Sequence, residues 1–239
     1  WSGDEFIDWK GIALDQSHGT HASIVGDVAY VNPVGPGWAH PVTGSWDDPR
    51  FLGRDGKPYG PLPREWVQFR GQYVFENKVV VHYTVGDSIV MELPGMQLSD
   101  SNVVYTRTLN IGKSTRDLSL RLAPESAVAV LVGTTEARIE ASNGFNVLRI
   151  PAAATPLNLK VLVGRVEESK MAFQAMVSAP VEDLGKYLRG GKTRYPEFVE
   201  TQGKNGGTDQ AFEVDEITYP VENPWHSWMR LGGVDFLPG

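Results

Sequence analysis

The chain has 239 residues, of which 41% are hydrophobic and 21% charged, and carries a formal net charge of −7. That length holds a packed core for one large domain or two small ones, and the acidic balance speaks against a nucleic-acid partner, which needs a concentrated basic surface. There is no cysteine, which rules out disulfides, thiolate metal sites, a cysteine nucleophile and covalent haem attachment within these residues. No apolar run approaches the ~18 residues needed to span a bilayer.

The first motif in chain order is Asp15-Gln-Ser-His18-Gly-Thr-His21. Two imidazoles three residues apart beside a carboxylate offer His18, His21 and Asp15 as candidate metal ligands. A Gly-containing loop lacks the helix that fixes both imidazoles in zinc peptidases, and the favoured reading is a hydrogen-bonding loop at a sheet edge.

Residues 32–63 are crowded with Pro and Gly, which neither a helix nor a central strand survives. Yet the same stretch holds Trp38, Trp46, Phe51, Tyr59 and Leu62. So many aromatics predict a long ordered loop packed on a scaffold rather than a linker.

From Trp66 to about Val177 the pattern is one of repeated strands. Lys78–Val85 is β-branched and aromatic, and His82 within it reads as a strand residue. Val103 to Leu109 alternates, as does Leu118–Leu122, whose leucines interleave with Asp117, Ser119 and Arg121, the period of a half-buried strand. Ala127–Val132, Ala137–Glu140, Val147–Ile150 and Leu157–Val166 follow. Asn143-Gly144, between two short strand-like runs, predicts a tight hairpin. Helix is expected only at Glu168–Val177 and Pro180–Leu188, with Pro180 in a first turn. The basic stretch Lys186–Arg194 reads as a solvated linker. Beyond Arg189 the texture is extended and poorly periodic, ending in Trp225, His226, Trp228 and Phe236. An apolar tail of this kind is expected to dock, with Trp225, Trp228 and Phe236 as inter-domain contacts.

The fold class expected is mainly β: a large antiparallel β-sandwich over residues 1–188, with its Pro/Gly/Trp loop at about 32–63, and an extended tail over 189–239. No serine-nucleophile elbow, phosphate loop or dinucleotide fingerprint is present, and no catalytic residue is assigned. The candidate ligand surface is Trp38, Trp46, Asp47, Asp48, Arg50 and Tyr59, because aromatic faces stack on sugar rings while Asp and Arg bind hydroxyls. Asp47 and Asp48 are poor acid–base candidates, since adjacent carboxylates point apart whereas glycosidases need two facing each other across ~5–9.5 Å.

Several strings, read together, resemble a known domain. They are Pro33-Val-Gly-Pro-Gly-Trp38-Ala, Gly60-Pro-Leu-Pro-Arg-Glu-Trp66, Arg70-Gly-Gln-Tyr73, Val79-Val-Val-His-Tyr-Thr-Val-Gly86, Tyr105-Thr-Arg-Thr-Leu109 and the tail Asn223-Pro-Trp-His-Ser-Trp-Met-Arg-Leu-Gly-Gly233. The chain resembles an uncharacterised β-rich domain of large exported proteins of planctomycete-type bacteria. In that family the domain precedes a propeller similar to sorbosone or glucose dehydrogenases and a c-type cytochrome domain. The resemblance implies a periplasmic or cell-surface setting, partners within the parent protein, and c-type haem elsewhere in that parent with no cofactor in this chain. Trp1-Ser2-Gly3 matches the family's start only in part, and the chain stops where the propeller would begin, so it is read as a piece of such a protein. The function expected is a non-catalytic accessory or carbohydrate-recognition module of a sugar-oxidising or polysaccharide-processing system. The rivals are a structural docking module for the propeller and a hydrolase or lyase using the His18/His21 loop.

Overall fold

The structure, a computed structural model, describes residues 5–7, 12–13, 23–24, 28–31, 35–99, 102–165, 173, 176–193, 195–209 and 211–228, with side chains from 35 onward except at 98, 99 and 102. The chain divides into two compact units, Trp1–Gly191 and Lys192–Gly239.

In the first unit every strand pairing is antiparallel. Three small ribbons pair β1 (Glu5–Ile7) with β4 (Val28–Val31), β2 (Ile12–Ala13) with β3 (Ser23–Ile24), and β5 (Phe51–Leu52) with β6 (Pro58–Tyr59). The main sheet has six strands: β7 (Val67–Phe75), β8 (Lys78–Val85), β9 (Ser88–Ser99), β10 (Asn102–Ile111), β12 (Val128–Val132) and β15 (Leu157–Gly164). They lie in the order β12-β15-β10-β9-β8-β7. A second sheet holds β11 (Leu118–Pro124), β13 (Arg138–Ser142) and β14 (Phe145–Ile150), ordered β11-β14-β13.

The turns follow from local chemistry. Two-residue hairpins need a positive φ, which Gly and Asn supply cheaply. Asn143 and Gly144, at φ 52° and 78°, join β13 to β14, as predicted. Gly86, at φ 56°, opens the equally short turn from β8 to β9.

Alternation then decides the layers. One face of the main sheet presents Tyr83, Val85, Val90, Leu109, Ile111, Leu159, Val161 and Val163, and these share a single core with Leu118, Leu120, Leu122, Leu148 and Ile150 of the second sheet. Two sheets burying one apolar layer between them make a sandwich. The opposite face of the main sheet is covered too. Val104, Val132 and Leu162 pack with Phe173, while Val80 and Leu93 pack with Leu184 and Tyr187.

Leu184 and Tyr187 belong to a 3-10 helix, Leu184–Arg189, capped by Asp183, so the helix expected from Pro180 starts four residues later and Pro180 lies outside it. Asn110 anchors it: its amide donates to Glu182 O at 3.0 Å and accepts from Leu184 N at 2.6 Å. A buried amide satisfied on both sides fixes register as well as adding stability. The basic stretch expected as linker starts inside this helix, where Lys186 pairs with Glu182 at 2.6 Å. Of the other predicted helix, only Phe173, Met176 and Val177 are described, and all three are helical.

The Pro/Gly loop splits in its behaviour. Its first half packs on the scaffold: Ala39 N donates to Ser119 O and Arg121 N to Gly37 O, so residues 37–39 extend the second sheet beyond β11. Its second half projects as the β5–β6 ribbon, where Phe51, Leu52 and Tyr59 are 77%, 60% and 53% exposed. Among the described residues no helix is long and apolar enough to cross a membrane.

Candidate functional site

Trp38 points inward. It is 6% exposed, and its indole N–H donates to Tyr83 Oη at 3.1 Å. Its carbonyl accepts the indole N–H of Trp66, itself 2% exposed. These bonds tie the loop to β8 and to the residue that leads into β7, and the burial leaves Trp38 no open ring face for a ligand. Asp48 and Arg50 close on each other: the guanidinium makes three bonds to the two carboxylate oxygens at 2.7–3.1 Å, and Arg50 N adds a fourth to the same carboxylate. The Arg50 side-chain bond keeps the Asp48 carboxyl below the usual carboxylate range, against a smaller opposing effect of burial. Asp47 is exposed, with its N–H bonded to Ser45 Oγ.

Tyr59 lies on the separate ribbon and donates to Asp55 at 2.8 Å. No hydrogen bond or ring contact among the described residues joins it to Trp46 or Asp48. The six residues grouped from sequence therefore fall into three places: core, loop and ribbon. Asp15, His18 and His21 lie outside the described residues, as does Phe236. Among the described residues no three His, Asp or Glu side chains gather where a metal ion could sit.

Trp46 sits differently. Its indole N–H donates to Gly37 O at 3.1 Å, which folds the loop back onto the outer face of the second sheet. That face carries Ser119 and Arg121 from β11, Arg138, Glu140 and Ser142 from β13, and Phe145, Val147 and Arg149 from β14. The neighbours of these residues in sequence, Leu118, Leu120, Leu122, Leu148 and Ile150, fill the core. Val147 is only 1% exposed although it faces outward.

Around Trp46 the chemistry concentrates. The Arg121 guanidinium lies 4.7 Å from the Trp46 ring and 5.0 Å from the Phe145 ring, and Arg149 lies 5.6 Å from Trp46. Arg149 is braced, donating to Glu140 Oε1 at 2.7 Å and to Ser119 Oγ at 2.8 Å. Arg138 reaches the other Glu140 oxygen at 3.3 Å. The bond from Arg149 holds the Glu140 carboxyl below its ordinary range, with Coulombic help from both arginines. Arg121 has no such partner: among the described residues no carboxylate pairs with it, and burial lowers its pKa. It remains a cation, since arginine does not lose its proton in proteins. The face thus presents three arginines against one glutamate in a chain whose net charge is −7.

Sequence reasoning found Trp46 but missed Arg121, Phe145 and Arg149. Alternation with Leu118, Leu120 and Leu122 already placed Arg121 on the outward face. No local pattern linked it to a tryptophan far upstream.

In the second unit Trp228 is 79% exposed, and Trp225 is half-buried with its indole nitrogen covered and, among the described residues, without a hydrogen-bond partner. Phe198, Val221, Pro224 and Trp228 help line a shallow groove within this unit.

A family described as a domain of unknown function (DUF6797) matches residues 1–92. The matched segment carries Trp46 and ends at Glu92, whereas Arg121, Phe145 and Arg149 lie beyond it. No curated protein and no solved structure matches the chain.

Proposed function

We propose that this chain is a non-catalytic accessory module that binds polysaccharide through the outer face of its smaller sheet. What carries the reading is the placement of Trp46, Arg121 and Phe145: two aromatic rings and a cation at the solvent side of a rigid sandwich. Shallow aromatic and polar surfaces of this kind suit extended sugar chains, which need stacking area and a few directed bonds rather than a deep pocket. Acid–base catalysis fits poorly here, because Glu140 is held ionised by two arginines and Asp48 by Arg50. The resemblance of the Pro33–Ala39, Gly60–Trp66 and Asn223–Gly233 strings supports the wider setting. In that setting the module belongs to an exported, periplasmic or cell-surface, sugar-oxidising or polysaccharide-processing protein, whose propeller and haem-bearing cytochrome domains supply the redox chemistry.

The test is affinity gel electrophoresis against a panel of soluble neutral and acidic polysaccharides. Retardation by at least one of them, lost in Trp46→Ala and kept in Tyr59→Ala, supports the module. A protein retarded by none of the panel sinks the reading, and so does binding that Tyr59→Ala abolishes and Trp46→Ala leaves intact.

A further inference from the structure

Among the described residues the half-buried Arg121 has no carboxylate partner. A guanidinium carries five N–H donors, and ring contacts occupy its faces but leave its edges open to water or a ligand. Every neighbouring arginine on this sheet has found an acceptor: Arg149 has Glu140 and Ser119, and Arg138 has Glu140. Arg121 lies 4.7 Å from the Trp46 ring and 5.0 Å from the Phe145 ring, yet no side-chain acceptor among the described residues meets it. A second guanidinium, Arg149, converges on the same Trp46 ring. Two cations drawn to one ring repel each other, and an anion near both removes that repulsion.

We propose that the Trp46–Arg121–Phe145 clamp is a site for the anionic group of an acidic saccharide, a uronate carboxylate or a sulfate ester, with Arg121 as its ligand and Arg149 in support. This rests on the polysaccharide-binding reading above and narrows it to a charged class. A planar fork matches a carboxylate or sulfate in bidentate fashion, and a fork held against two aromatic rings has less rotamer freedom to lose when it binds. The uncharged remainder of the sugar lies against the aromatic edges. Glu140 disfavours an anion at the β13 side, so the charge seats towards β11, where Ser119 adds a hydroxyl.

The experiment uses isothermal titration with three probes on the intact chain: oligogalacturonides for the carboxylate, sulfated dextran for the sulfate, and unmodified dextran. The expected result is binding of one charged probe, weakened by salt, and reduced about tenfold or more in Arg121→Met. Arg121→Lys, which keeps the charge and loses the fork, should recover only part of that affinity. Arg70→Gln, on exposed β7 of the main sheet, should change nothing, separating a site from general attraction to positive charge. Thermal melts of each variant establish that it is folded. Equal binding of charged and neutral probes, or unchanged affinity in folded Arg121→Met and Arg121→Lys, overturns the anion site while leaving the polysaccharide module standing. Binding of none of the three by the wild type, alongside retardation on some neutral polysaccharide, likewise removes the anion site alone.

Discussion

Tyr83 donates its phenolic proton to Glu92 Oε2 at 2.8 Å while accepting the indole N–H of Trp38 at 3.1 Å. Arg107 closes the other side of the carboxylate at 2.6 Å from Oε1. A loop, two neighbouring strands and a third are thereby tied at one point inside the sandwich. Burial pushes the Glu92 carboxyl up, but the Arg107 charge and the bonds from Arg107 and Tyr83 together hold it below the ordinary carboxylate range. Burial, with the Glu92 charge, raises the Tyr83 phenol well above its usual value.

The first prediction concerns this pair. Arg107 and Glu92 side chains are only 20% and 15% exposed, so removing one leaves the other charged in a dry setting. Arg107→Met should cost about 3 kcal/mol of folding stability in urea denaturation, and adding Glu92→Gln should recover part of that loss. Fully additive losses in the double variant would show that the two residues do not act as a pair.

The second concerns acid. Glu182 receives bonds from Lys186, Tyr187 and Lys78, which outweigh the upward push of burial and bring its carboxyl down to about 2. A folded pKa below the unfolded one stabilises the fold above the unfolded value of about 4.3, and that stability disappears as pH falls through the folded value. The lysines are largely exposed, so screening trims the contribution to about 1 kcal/mol. Wild type should therefore lose about 1 kcal/mol more than Glu182→Gln between pH 5 and pH 2. Parallel stability curves for the two proteins in that window would contradict it.

Much of the scaffold is legible because each strand faces one core. β8 runs over Lys78–Val85 as its β-branched pattern predicts, and the Asn143-Gly144 hairpin forms with the expected positive φ. β9 is illegible because Pro94-Gly95 interrupts it. The interruption is tolerated because the last β8–β9 pair is Val81 with Glu92, so Pro94 lies where β9 is paired on one flank only. The candidate surface is less legible for a different reason. Tryptophan serves a core or a surface equally well, and which role it takes depends on which sheet face the loop returns to. Trp38 enters the sandwich and Trp46 roofs its outside, although only eight positions separate them along the chain.

The third prediction separates two glycines of similar backbone. Gly144 has φ 78° and open space where a Cβ would go, so Gly144→Ala should cost about 1 kcal/mol from the backbone alone. Gly133 has φ 94°, and a Cβ there would collide with Val181 Cγ2, beside Asn158 O. Overpacking adds to the backbone cost, for a total of about 2–4 kcal/mol. Equal midpoints for the two alanine variants in thermal unfolding would rule out the Val181 contact.

The fourth prediction sets the two tryptophans against each other. Trp38→Ala empties part of the core and strips the Tyr83 phenol of its donor, so it should cost about 3–5 kcal/mol. Trp46 is half-buried and gains from Arg121, Arg149 and one bond to Gly37, so Trp46→Ala should cost about 1–2 kcal/mol. Urea denaturation followed by far-UV circular dichroism measures both without relying on the deleted fluorophore. If the two variants lose the same stability, Trp46 is as much a core residue as Trp38, and a binding defect in Trp46→Ala can no longer be read as a lost contact. If the gap appears, Trp46 is the position at which the proposed polysaccharide binding can be tested while the sandwich stays folded.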